Sequence, residues 1–409
     1  MEKTILEKIK SGLPVIYLNK NKREEKSYSI KDIKKTYERF IKYSSLIQKK
    51  YPKIDKGIIK SDLVKTKKIN DKYFNKIDLY LKLDNNLPVV GSVKARGSLN
   101  AIIDIVEKIS QKENWIEEDF PLNLSRYIEE NKFSKYKIIV GSTGNLALSV
   151  GLFSQIFGIK TIVYMSNDAK EWKKEILRKA NAEIVQINGT YSEAVKLGRE
   201  KAKNSENTFF IDDENSEELF LGYAASIFKL NKQIERENIN PTNEDPLYIF
   251  IPCGVGGAPG GISYALNLVF GNKIKIFFVE PVNAPCMALA LIENKENPRA
   301  VSEIGLNKRT EADGLAVYKA SEFIFNLVKN YINGTITVND SDMLEFVYNM
   351  KILEDQRIEV SAAAGLAGLQ KIQKEGTKIN KALVWLTGGS LIPDKEYEKI
   401  LELSKKGEF

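Results

Sequence analysis

KYKIIVGSTGNLALSVG (Lys135–Gly151) sets the reading of the whole chain. A short apolar run, Ile138–Val140, stops at a loop of small polar residues, Ser142-Thr143-Gly144-Asn145, and an apolar helical pattern starts at Leu146. A run apolar nearly throughout is a strand buried on both faces, and that is how strands of a parallel sheet covered by helices look. More runs of this kind follow: KTIVYMS (Lys160–Ser166), AEIVQIN (Ala182–Asn188), NTFFIDD (Asn207–Asp213), PLYIFIPCG (Pro246–Gly254), KIKIFFVEP (Lys273–Pro281) and KALVWLTGG (Lys381–Gly389). Longer helical patterns between them supply the crossovers that parallel strands need. The predicted fold class is therefore α/β, with mostly parallel sheets flanked by helices. A polar segment from about Trp115 to Asn131 breaks the alternation and points to more than one sheet.

The first 75 residues carry amphipathic helical patterns instead, as in SIKDIKKTYERFIKYSSLIQKKYPKI (Ser29–Ile54), with Ser29 at the N-cap position. The chain has 409 residues, 43% hydrophobic and 28% charged, an ordinary globular composition. Its 62 Lys and Arg against 54 Asp and Glu give +8, yet acidic residues interrupt the lysines, as in KEWKKEILRKAN (Lys170–Asn181). That pattern is a solvated helix face and not a one-signed stripe, so neither nucleic acid nor a membrane surface is an expected partner. Cys253 and Cys286 have no metal-ligand spacing and make no disulfide framework, which fits a reducing compartment. The opening MEKTILEKIKSGLP is charged too early for the apolar core of a signal peptide, and no run is long enough for a membrane helix. A cytoplasmic location is expected.

The sequence contains no histidine. Serine or cysteine relays that use imidazole, HExxH zinc sites and histidine-based metal centres are thereby excluded. Acid and base work must fall to lysine, carboxylate, hydroxyl or a cofactor.

Ligands of such sheets gather where strands end and helices begin. The Ser142–Asn145 loop can hold a small carboxylate, although taken alone it reads better as an ordinary N-cap. IFIPCGVGGAPGG places Gly254, Gly256, Gly257, Gly260 and Gly261 after a strand, ahead of a helix expected near Ile262. A backbone so free of side chains can wrap a phosphate, while the absence of GxGxxG and of GK[ST] argues against a dinucleotide or ATP. In VWLTGGS, Thr387 ends the last strand. Finally, LPVVGSVKARGSLNAIIDIVEKI (Leu87–Ile109) sets Lys94 in the first turn of a helix whose amphipathic part runs from about Leu99 to Ile109. A cation is disfavoured there by the helix dipole. Beside a phosphate loop, and without histidine, such a lysine can form a Schiff base with pyridoxal phosphate.

The motifs GSVKARGS, GSTGNLALSVG, FFIDDENSEELFLGY (Phe209–Tyr223), IPCGVGGAPGG, FFVEPVNAPCM (Phe277–Met287), ADGLAV (Ala312–Val317) and TGGS, in this order, resemble the D-serine dehydratase (D-serine ammonia-lyase) family. That family has the two-domain, tryptophan synthase β-like architecture of fold-type II pyridoxal phosphate enzymes. The resemblance spans about Asp84 to the C-terminus. It implies a division into 1–130 (N-terminal helices and the start of the large domain), 131–211 (small domain) and 212–409 (remainder of the large domain).

By the same resemblance Lys94 is the Schiff-base lysine. Ser142, Thr143 and Gly144 meet the substrate carboxylate, and Asn145 meets the ring oxygen of pyridoxal 5'-phosphate. Gly254, Val255, Gly256 and Gly257 cradle the phosphate, and Thr387 faces the pyridine nitrogen. Lys94, Thr143 and Asp213 are the implied catalytic residues, with Asp213 near the substrate hydroxyl. Glu280 matches a position that helps bind a monovalent cation, potassium or sodium. The implied reaction is β-elimination of D-serine to pyruvate and ammonia, with D-threonine giving 2-oxobutanoate. The implied partner is a small D-amino acid, and the chain would be a monomer or homodimer. An L-serine or L-threonine dehydratase or a serine racemase of this fold is the alternative, and a basic nucleic-acid binder is the alternative of another class.

Some readings stay open at this stage. The acid that protonates the leaving hydroxide is either Asp213 or the cofactor phosphate. One of Asp212 and Asp213 is expected to cap a helix over Glu217–Leu230. Ser98, Ala258 and Ser390 stand where the family often has glycine, and Ser390 raises the question of altered contacts near the pyridine nitrogen.

Overall fold

The computed structural model describes residues 2–20, 27–74, 77–117, 120–167, 169–189 and 191–406. Its strands are β1 (Ile16–Leu18), β2 (Leu63–Lys65), β3 (Asp78–Leu83), β4 (Lys137–Gly141), β5 (Lys160–Ser166), β6 (Glu183–Ile187), β7 (Thr208–Ile211), β8 (Leu247–Pro252), β9 (Ile274–Pro281), β10 (Gly334–Val338) and β11 (Lys381–Leu386). Every apolar run read from the sequence becomes one of them. They form a seven-stranded sheet in the order β1-β10-β9-β8-β11-β3-β2 and a four-stranded sheet in the order β6-β5-β4-β7. All ladders are parallel except those of the edge strands β1 and β2. Helices follow the strands, so the chain is an α/β protein with two sheets.

The strands missing from the sequence reading have identifiable disguises. β1 and β2 are three residues each, too short to show a period, within a region that otherwise forms helices. β3 carries Lys82, which is 0% exposed and donates to the Ser61 carbonyl at 2.7 Å and to Gln233 at 2.8 Å. Burial pushes that amine down to about 7. β10 hides behind threonines that are wholly buried, one of which, Thr337, accepts from the Val15 amide at 2.8 Å.

Helix limits also moved. Ser29 does cap a helix through a capping box with Asp32, but the pattern beyond it splits into Ile30–Lys42 and Ser44–Lys50. The lysine helix starts at Lys94, so that residue does sit in the first turn, whereas the glycine-loop helix starts at Gly257 and not near Ile262. Glycine lowers helix propensity, and tertiary packing overrides it in the glycine loop. The segment expected as one helix from Glu217 breaks into Glu217–Ala224 and Ile227–Arg236.

The helix Glu217–Ala224 lies between the lysine helix (Lys94–Lys112) and the glycine-loop helix (Gly257–Phe270), and glycines permit the approach. A Cβ on Gly222 would stand 2.6 Å from the Arg96 carbonyl oxygen, and one on Gly261 would stand 2.4 Å from that of Phe220. Backbone cannot yield as a side-chain tip can. For Gly222→Ala the overpacking cost of about 1–3 kcal/mol exceeds the helix-propensity gain of about 1 kcal/mol. A lower urea midpoint is expected, and an unchanged or higher one would show that these helices are not in tight contact.

Candidate active site

Strand exits of both sheets open on one cavity of about 190 Å³. Lys94, Ser142, Thr143, Gly144, Asn145, Asp213, Gly254, Val255, Gly256, Gly257 and Thr387 all line it. Glu280 is not on its wall.

Lys94 reaches the cavity from the first turn of its helix, with the side chain 20% exposed. Both Asp213 oxygens accept from its Nζ at 2.8 Å, which offsets the unfavourable dipole at that position. Asp213 follows β7, so the pair joins the two sheets. Asp212 turns away to Arg199 at 2.6 Å and accepts from the Glu214 amide. Neither aspartate caps the next helix, contrary to the sequence reading. That cap is Ser216, which accepts from the Leu219 amide at 3.1 Å. The ring of Tyr223 lies 5.9 Å from the amine, and its buried hydroxyl has no partner among the described residues.

The Ser142–Asn145 loop leaves β4 and turns into the helix Asn145–Ser154, with Gly144 at the cap. The Gly144 amide donates to Ser142 Oγ at 3.1 Å. The Asn145 amide nitrogen donates to both oxygens of Glu359, at 3.0 and 3.2 Å. Glu359 lines the cavity, and sequence reasoning missed it. Its one signal was a carboxylate immediately before the apolar helix Val360–Lys374, which looks like any solvated helix start. Asp313, from the ADGLAV motif, also lines the wall and pairs with Lys173 at 2.9 Å and Lys170 at 3.2 Å. Burial raises its pKa, but the two lysines outweigh that and hold the carboxyl below its ordinary value. Ser361 joins them with a buried hydroxyl that no described residue bonds.

On the opposite wall β8 ends and the glycine loop leads into its helix. The backbone amides of Gly254 to Ala258 find no acceptor among the described residues. They gather at the positive end of a helix dipole, a site for a phosphate. Gly256 has φ +110, and a Cβ there would come within 2.9 Å of Met287 Cε, so both conformation and space require glycine. Pro259 costs nothing in the first turn, where its missing N–H would have no partner anyway.

Thr387 follows β11, and its carbonyl accepts from the Val93 amide at 2.8 Å, tying the strand exit to the residue before Lys94. Ser390 does not line the cavity; its Oγ faces Gly91, where a Cβ would stand only 2.0 Å away. Ser98 donates to the Lys94 carbonyl at 2.9 Å, and Ala258 sits in the glycine-loop helix. These departures from glycine leave the loops closed.

Glu280, next to last in β9, is 0% exposed, and its oxygens accept from the amides of Met287 at 2.7 Å and Ala288 at 2.8 Å, capping the helix Cys286–Glu293. Burial nevertheless pushes its carboxyl up to about 8. No basic side chain pairs with it and no cluster of three metal-ligating side chains occurs among the described residues. Cys253 and Cys286 are free and buried, packing as small apolar side chains.

An amine, a loop of unpartnered amides at a helix N-terminus, and a hydroxyl on a third element fit the aldehyde, phosphate and ring nitrogen of pyridoxal phosphate. Residues 54–388 match the family described as pyridoxal-phosphate dependent enzyme. A probable D-serine dehydratase of Carboxydothermus hydrogenoformans is 39% identical over 91% of this chain and 90% of its own. One from Bacillus cereus is 36% identical over 95% and 96%. Among solved structures, diaminopropionate ammonia lyase from Escherichia coli superposes with a TM-score of 0.75 at 17% identity, covering 96% of this chain and 97% of its own. The processed form of threonine deaminase isoform 2 from Solanum lycopersicum gives 0.71 at 21% identity, covering 96% and 98%. At those identities the structural likeness speaks for the fold. Taken with the site geometry, the family match and the curated relatives show that the chain belongs to the pyridoxal-phosphate dependent enzymes, in the family of the probable D-serine dehydratases.

Proposed function

We propose that the protein is a pyridoxal phosphate dependent ammonia-lyase that converts D-serine to pyruvate and ammonia. The observation that carries this reading is the sharing of one cavity by the Lys94 amine, the free amides of Gly254–Ala258 and the Ser142–Asn145 loop. In it, Lys94 bears the cofactor, the amides of Gly254, Val255, Gly256 and Gly257 hold its phosphate, Asn145 meets the ring oxygen, and the Thr387 hydroxyl meets the ring nitrogen. When bound, that group takes up the electron pair left on Cα, which is what allows a weakly acidic C–H bond to break.

The protein's own part is binding and proton handling. Ser142, Thr143 and Gly144 hold the substrate carboxylate, and so turn the Cα–H bond toward the amine. The Lys94 amine takes the proton from Cα, a base that needs no imidazole. Asp213, 2.8 Å from that amine, is the group best supported to pass a proton to the departing hydroxyl, so that water leaves instead of hydroxide. Hydrolysis of the released enamine returns that water and gives pyruvate and ammonia. The Asn145–Glu359 bond and the Asp313 pairs with Lys170 and Lys173 fix the walls around the substrate.

Glu280 we assign to a monovalent cation, potassium or sodium. Support comes from its burial without any basic partner among the described residues: a carboxylate in such a place stays ionised far more readily beside a cation.

Two tests follow. In a coupled pyruvate assay, D-serine should be consumed well ahead of L-serine, and Lys94→Ala should lose about 10²–10⁴-fold in rate together with the visible absorbance of the purified protein. Faster turnover of L-serine would move the protein to the alternative substrate class. Exchanging choline chloride for potassium chloride should raise the thermal midpoint by about 2 °C or more in the wild type and leave Glu280→Gln unmoved. Equal shifts in both proteins would remove the cation from Glu280.

A further inference from the structure

Behind the lysine helix lies a buried polar cluster that does not line the cavity. Asp84, directly after β3, is 0% exposed and accepts four hydrogen bonds. Arg96 supplies two, from Nε and Nη2, each at 2.8 Å. Ser61 Oγ donates at 2.5 Å and the Trp385 indole N–H at 2.9 Å. Ser61 also accepts from Arg96 Nη2 at 3.2 Å, and its carbonyl accepts from the buried Lys82.

The sequence positions of the donors matter more than their number. Arg96 lies two residues beyond Lys94, about 200° around the helix, so Lys94 faces the cavity while Arg96 faces the core. Trp385 lies two residues before Thr387 along the β11 exit, and alternate residues of a strand share a face. One carboxylate thus grips the element that carries the amine and the element that carries the hydroxyl. A bidentate guanidinium fixes angle as well as distance, whereas a lysine in its place is a point charge. Buried ion pairs add little net stability over apolar packing, and registry is their best-attested use.

We propose that Asp84 is a positioning residue: through Arg96 and Trp385 it sets the distance between Lys94 and Thr387, and hence how a ligand held by both is oriented. This rests on the pyridoxal phosphate reading of the cavity.

The experiment uses the full-length, cofactor-loaded protein. Arg96→Lys keeps the charge and loses the fork. Trp385→Phe removes only the indole N–H and leaves no charge unpaired, so it serves even where Arg96→Lys fails to fold. Leu344→Ala, a fully buried change on the helix Asp340–Glu354, which makes no bond to this cluster, is the control for general loosening. Arg96→Lys should lower kcat on D-serine on the order of 100-fold, the effect of an ångström-scale misplacement, with KM within about threefold, and should weaken the visible circular dichroism of the bound cofactor. Trp385→Phe should show the same pattern at about five- to tenfold. Leu344→Ala should lower the thermal midpoint with kcat and the visible dichroism retained. The proposal falls if Trp385→Phe folds with unchanged kcat and dichroism, or if Leu344→Ala reproduces the losses at an equal drop in midpoint. A wild type with no visible cofactor signal would overturn the cofactor reading itself, and this proposal with it.

Discussion

The Lys94 amine is held at a helix N-terminus, where the dipole repels it, by the Asp213 carboxylate that arrives from the other sheet. A lysine in that place without a countercharge would turn to solvent. With Asp213 it points into the cavity between the sheets, and the remaining walls are arranged around it. The glycine loop of β8 and the polar loop of β4 approach from different strand exits, each with amides or hydroxyls directed at the same space. The site therefore exists only because both sheets present their strand ends to it.

That convergence depends on close helix packing. Gly97, Gly222 and Gly261 allow the helix Glu217–Ala224 to lie directly against the lysine helix and the glycine-loop helix. Tyr223 fills the gap, with its ring against Gly97 and Gly257 and beneath the amine. Deeper still, the Asp84 cluster ties β3, β11 and the lysine helix together. The glycines give proximity and the buried polar cluster gives orientation, and a shared ligand needs both.

Much of this was legible in the sequence because buried parallel strands announce themselves as apolar runs, and the loops at their ends contrast sharply with them. β3 and β10 were not legible, since a lysine and a threonine that the core satisfies by hydrogen bonds, Lys82 and Thr337, look like surface. The start at Gly257 was placed too late, because no capping side chain marks it. Composition could not divide Asp212 from Asp213; only the fold turns one to Arg199 and the other to Lys94. Glu359 and Asp84 were invisible for a related reason. Their partners, Asn145 and Arg96, are 214 and 12 residues away, and an isolated carboxylate carries no sign of what it will meet.

The absence of histidine acquires its meaning in this setting, since an amine, hydroxyls, backbone amides and one paired carboxylate leave no step that requires imidazole. The claim on which all else rests is that Lys94 carries the cofactor. Reduction of the purified protein with borohydride, followed by proteolysis and mass spectrometry of the peptides, tests it directly. A pyridoxyl group on the peptide containing Lys94, and on no other, is the expected result. A protein that consumes D-serine while that group is found on a different lysine, or on none, would contradict it.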